Sequence, residues 1–86
     1  MAAKVKTPVK PVRPLYEIAA EISNDWVKPY FGAAPYIYAM HKLNKITDDY
    51  FQDSAKMIVL YFLSNAQTWK GEKAREIKKE LNAMCK

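Results

Sequence analysis

The sequence predicts an all-α fold, a compact bundle of about four helices that follows an extended basic tail. Three observations carry that expectation. Apolar residues recur at spacings of three and four through most of the chain. The prolines and glycines, five and two in number, fall at the edges of those stretches. No Gly-rich loop, internal repeat or strand hairpin pattern interrupts them.

Residues 1–14 read as a flexible Pro-rich tail, ahead of a single helical domain over 15–86. Pro8, Pro11 and Pro14 recur every third residue, which suits a left-handed polyproline helix and forbids an α-helix. Pro8, Pro11 and Arg13 also fit the P-x-x-P-x-basic pattern of SH3 ligands, a weak match beside a solubilising or phosphate-touching arm.

The first helix is expected from about Leu15 to Val27, ahead of Pro29, with Leu15, Ile18, Ala19, Ile22 and Trp26 on one stripe. Glu17, Glu21, Asn24 and Asp25 lie opposite, and Pro14 suits the first turn. Lys28 to Pro35 forms a turn built on Pro29, Gly32 and Pro35. Pro35 then opens a short second helix whose inward face is Tyr36, Ala39, Met40 and Leu43. Thr47, Asp48 and Asp53 are capping candidates before a third helix from about Ser54 to Gln67. Ala55, Ile58, Val59, Phe62, Leu63 and Ala66 make one face of it, while Met57, Leu60 and Tyr61 fill most of the other. A helix apolar nearly all round is either central to a fold or in contact with another subunit. A strand competes for Met57 to Leu63, but the flanking Ala, Lys, Ser and Asn favour helix. The fourth helix is expected over Trp69 to Cys85, capped by Thr68, with Gly71, Ala74, Ile77, Leu81 and Met84 inward and Gly71 admitting a close neighbour. Glu72 with Arg75 and Glu76 with Lys79 provide helical ion pairs on its outer face.

Composition excludes several function classes. At 86 residues the chain holds one domain, and its apolar content is too high for a disordered protein. The longest apolar run, Met57 to Leu63, spans seven residues, whereas a membrane helix needs about 20. The expectation is a soluble protein with no membrane partner. No apolar segment follows the basic N-terminal residues, so no signal peptide is read. A lone Cys85 forms no internal disulfide, which points to a reducing, cytoplasmic setting.

The formal charge of +5 is uneven: residues 1–14 carry +4, residues 15–68 carry −2 and residues 69–86 carry +3. A near-neutral body with two basic ends favours an anionic partner, although solvated charge runs are common. Candidate anion contacts are Lys4, Lys6, Lys10 and Arg13 in the tail and Lys70, Gly71, Lys73, Arg75, Lys78 and Lys79 at the start of the fourth helix. There, free backbone N–H groups at a positive helix end make an anion site, as they do in principle at every helix start.

Aromatic density is the second distinctive feature. Trp26, Tyr30, Phe31, Tyr36 and Tyr38 place five of eleven aromatics within thirteen residues. Such a cluster stacks bases, anchors a protein partner, or fills the core of a small domain. Periodicity turns Trp26 and Tyr36 inward and leaves Tyr30, Phe31 and Tyr38 available, with Trp69 a further stacking candidate.

Catalytic and metal chemistry find little support. One His and one Cys give no zinc signature, and Asp48, Asp49 and Asp53 lack the pattern of a calcium loop. Cys85, His41 and Asp48 form the one conceivable nucleophile, base and acid set, with Cys85 at a fraying end. The expectation is no enzyme, no metal and no cofactor.

Two strings resemble a family of small uncharacterised proteins of tailed bacteriophages and prophages: Trp26 to Met40, and Asp53 to Leu81 with Val-Leu-Tyr-Phe-Leu-Ser-Asn-Ala at its centre. The resemblance runs from Tyr16 to about Met84 and excludes the tail. It implies a phage-type protein in the cytoplasm of a bacterial host cell and supplies no catalytic residues. The functional expectation is therefore a small binding protein for nucleic acid or a nucleotide signal, as in counter-defence. The alternative is a protein-interaction module that inhibits a host protein or self-assembles through its aromatic cluster.

Overall fold

The computed structural model describes residues 12–86, so the polyproline reading, the SH3-ligand pattern and the lysines 4, 6 and 10 lie outside the described residues. The body is all-α with one minimal hairpin: α1 (Leu15–Asp25), α2 (Ala34–Met40), β1 (Asp49–Tyr50), β2 (Asp53–Ser54), α3 (Ala55–Ser64) and α4 (Glu72–Met84). Helix α1 packs against α2 and α4, and α3 packs against the same two helices.

Helix α1 begins where Pro14 holds an extended backbone that offers no side-chain cap. Its exposed donors are satisfied from across the fold instead: the Leu15 and Tyr16 N–H groups donate to the Asn44 and Leu43 carbonyls, at 2.8 and 2.9 Å. This ties the start of α1 to the end of α2 while Leu15, Ile18, Ala19 and Ile22 enter the core. Pro35 sits in the first turn of α2, where its missing N–H costs no hydrogen bond. Ile37, which the periodicity did not place inside, is buried there with Ala39 and Met40.

Helix α3 is capped by Ser54, whose Oγ accepts from the Met57 N–H at 3.2 Å. The expected capping by Asp48 does not occur. Its carboxylate accepts the N–H groups of Asn44 and Lys45 at 3.1 and 2.9 Å, closing the preceding loop. Those bonds, and the charge of Lys45, hold the Asp48 carboxyl below its ordinary pKa.

Two further expectations are corrected. A hairpin exists where none was read: β1 and β2 pair antiparallel, Asp49 with Ser54 and Tyr50 with Asp53, around Phe51 in the left-handed region at φ 57°. Two-residue strands are too short to leave an alternating pattern. The fourth helix starts at Glu72, not Trp69, and Thr68 does not cap it. Gly71 is the N-cap at φ 115° and ψ 178°, and a Cβ there would meet nothing within 4 Å. That glycine serves backbone conformation, since the region is essentially closed to other residues, and not the close helix packing expected of it.

The centre of the core is aromatic. Trp26 and Trp69 stack with ring centroids 5.7 Å apart and planes 8° from parallel. Phe62 meets both edge-on, at 6.4 and 6.1 Å. The Trp69 indole N–H donates to Asp25 Oδ2 at 2.8 Å, which pins the loop before α4 to the end of α1.

Candidate functional site

Of the basic candidates, Arg13, Lys73 and Lys79 line one open cleft along α4, where Glu21, Glu76 and Glu80 match them charge for charge. Arg13 is drawn into the body: it donates to Glu80 through two nitrogens at 3.0 and 2.7 Å and pairs with Glu21, with Glu17 at 3.7 Å. The bonds to Glu80 and then Glu21 push the guanidinium pKa up, and Arg13 in turn pushes the Glu21 carboxyl down. Lys73 Nζ lies 3.9 Å from the other Glu21 oxygen. Lys78 donates to the Trp69 carbonyl at 2.7 Å and sits 5.9 Å from the indole centroid. Burial lowers its pKa, and the neighbouring charge of Lys70 adds to that. Arg13 and Lys78 are therefore structural ties, not free anion contacts, while Lys73 stays exposed beside Glu21. Lys70, Arg75 and Lys79 stay exposed with no carboxylate within 4.0 Å among the described residues, so the Glu72–Arg75 and Glu76–Lys79 ion pairs expected from their spacing are not formed. Glu72 occupies the first turn of α4 and already complements the helix dipole.

Trp69 is corrected as well. At 2 % exposure, stacked on Trp26 and bonded through its N–H, it has no face left for a ligand.

The exposed aromatics hold together better. Phe31 is 81 % exposed, and Tyr30 lies beside it with ring centroids 4.9 Å apart. Gly32 lets the Tyr30 ring fold back over the turn: a Cβ there would stand 2.5 Å from Tyr30 Cε2 and 2.9 Å from Asn65 Oδ1. Asn65 in turn donates to the Tyr61 carbonyl at 2.8 Å, and the Tyr61 ring meets Tyr36 at 5.5 Å. Along α3 the exposed row continues with Leu60 and Met57, which share a helical face with Tyr61 at spacings of one, three and four. The result is an apolar ridge from the 30–31 turn down the outer face of α3. Tyr38 lies apart from it, in an open cleft between α1 and α2.

The conceivable catalytic set is dispersed among other partners. His41 Nε2 sits 3.2 Å from Ser23 Oγ, Asp48 is held by backbone N–H groups, and burial raises the pKa of the Cys85 thiol at the end of α4. Among the described residues no three His, Cys, Asp or Glu side chains gather to hold a metal, and no helix is long and apolar enough to cross a membrane.

Sequence reasoning missed the Ser23–His41 contact, the α1–α2 cleft and Phe51, which is 89 % exposed. The first two join residues far apart in the chain and leave no local signal. An aromatic pair within the acid-rich stretch Asp48 to Asp53 was the available sign of the third. In comparison with known protein families, curated proteins and solved structures, the chain has no match.

Proposed function

We propose that the chain is a small non-enzymatic phage-type binding protein whose partner is a protein, contacted through the ridge of Tyr30, Phe31, Tyr61, Leu60 and Met57. The supporting observation is that Tyr30 and Phe31 pack together at the surface, that Asn65 joins their turn to the partly exposed Tyr61, Leu60 and Met57 of α3, and that none of the five belongs to the buried core. A row of exposed aromatics flanked by polar residues has the composition of an interface centre. Nothing in the packing of the body requires Phe31 to be apolar. The phage setting rests on the resemblance of the Trp26 to Met40 and Asp53 to Leu81 strings.

A second reading, an anionic partner such as nucleic acid or a nucleotide, is favoured by Lys70, Arg75 and Lys79, which remain exposed and unpaired among the described residues. Salt and nuclease separate the two. A complex captured from bacterial lysate on the ridge survives nuclease treatment and moderate salt, because apolar burial is not screened. Loss with nuclease, or a steep fall in affinity with salt, supports the anionic reading and counts against the ridge.

A further inference from the structure

Two features away from the ridge match each other, one convex and one concave. The convex one is the hairpin. Phe51 stands at its tip with 89 % of its surface exposed, its ring edge-on to Tyr50 at 4.8 Å. Its φ of 57° is a conformation that glycine or asparagine adopts more readily, so neither the turn nor the core accounts for a phenyl group there. Residues 48–54 carry Asp48, Asp49 and Asp53 and no base. Asp48 is occupied by backbone N–H groups, whereas Asp49 and Asp53 are exposed with no cation within 4.0 Å among the described residues.

The concave feature is the cleft between α1 and α2. It is lined by the apolar Trp26, Val27, Pro29, Ala34 and Ile37 together with Tyr38, and by the hydrogen-bonded pair Ser23 and His41. Its volume is about 250 Å³, short of the roughly 300 Å³ or more of a small-molecule pocket and of the order of one large side chain. Two lysines lie beside it. Lys28 lies between the lining residues Val27 and Pro29, and Lys42 Nζ sits 4.7 Å above the Tyr38 ring. Neither has a carboxylate within 4.0 Å among the described residues. Asp25, the acid in the adjoining stretch, accepts from the Trp69 indole.

We propose that the Phe51 hairpin of one copy seats in the α1–α2 cleft of a second copy, with Asp49 and Asp53 facing Lys28 and Lys42. An acid-flanked aromatic knob and a mainly apolar cleft with two free lysines beside it, carried on one chain, are complementary in charge and in apolar character. Phe51 leaves its own chain's cleft unfilled, since its ring is almost wholly exposed. The contact joins two different patches, so it closes as a dimer when made reciprocally and otherwise extends as a chain. This inference goes beyond the ridge reading, because it uses neither Phe31 nor Leu60.

Sedimentation of the full chain from micromolar to millimolar concentration tests it. The wild type is expected to gain mass with concentration. Phe51→Ser, which removes the knob, and Lys28→Glu/Lys42→Glu, which reverses the charge beside the cleft, should each weaken self-association by about tenfold or more, with the helical circular dichroism unchanged. The decisive arm mixes the two variants. One retains an intact socket and the other an intact knob, so the mixture should recover a heteroassociation that neither shows alone. A chain that stays monomeric throughout overturns the proposal. So does a mixture that fails to associate, or self-association abolished by Phe31→Asp and untouched by Phe51→Ser. The ridge reading stands or falls separately, on capture of a partner.

Discussion

The α1–α4 seam and the ridge along α3 invert what their compositions suggest. The seam is the more charged of the two, yet its charges are largely taken up inside it: Arg13 bridges Glu21 and Glu80, Lys73 approaches Glu21, and Lys78 donates to the Trp69 carbonyl. The ridge belongs to the most apolar helix, yet Met57, Leu60 and Tyr61 remain exposed there beside Phe31 and Tyr30. A count of charges measures the capacity to bind an anion only where those charges are free. Apolar residues in excess of what a core can hold mark a surface instead.

The largest effect should come from the core that both regions share. Phe62→Ala removes the ring that meets both tryptophans edge-on and should cost about 3 to 5 kcal/mol by chemical denaturation. A loss below about 1 kcal/mol would mean that the ridge, not Phe62, holds α3 in place.

Gly71→Ala comes next. With open space around the position, its cost is purely one of backbone conformation, about 1 to 3 kcal/mol. A neutral result would show that the loop before α4 can adopt an ordinary helix start, and would bring the expected Thr68 cap back into play.

Arg13→Gln should cost about 1 kcal/mol at low ionic strength, less as salt is added, because its partners are partly exposed. The pH dependence has a definite sign. The Glu21 pKa is lowered in the folded chain, so its contribution is present above the unfolded value of about 4.5 and is lost as pH falls through the folded value. The gap between wild type and Arg13→Gln, measured by urea denaturation, should therefore close in acid. A gap that widens in acid would show that the seam is not held by these carboxylates.

The smallest effect on stability belongs to the ridge. Phe31→Asp should change the unfolding free energy by no more than about 0.5 kcal/mol, since its side chain is 81 % exposed and outside the core. A large loss would make the ridge structural and remove the contrast with the seam.

The helices were legible because their signals are local. The stripe Leu15, Ile18, Ala19, Ile22 and the face Ala55, Ile58, Val59, Phe62 are buried as their periodicity requires. The apolar outer face of α3 was also visible in advance, as was the availability of Tyr30 and Phe31. Pairing was not legible. Arg13 stands 67 residues from Glu80, and Trp69 stands 44 from Asp25, and no spacing rule links positions so distant. Gly71 misled for a related reason: a glycine at the edge of an apolar stripe looks the same whether it admits a neighbour or a left-handed backbone. The Phe51 hairpin was lost because strands of two residues carry no period.

Binding through the ridge is tested by comparing two variants on one captured, nuclease-treated partner. One is the ridge variant Phe31→Asp/Leu60→Asp, and the other is the charge variant Lys70→Glu/Arg75→Glu/Lys79→Glu. The ridge variant is expected to lose the partner by tenfold or more, about 1.4 kcal/mol or above, and the charge variant to retain it within about threefold, the scale of exposed ion pairs. Retention by the ridge variant together with loss by the charge variant would contradict binding through the ridge and return the function to the basic end of α4.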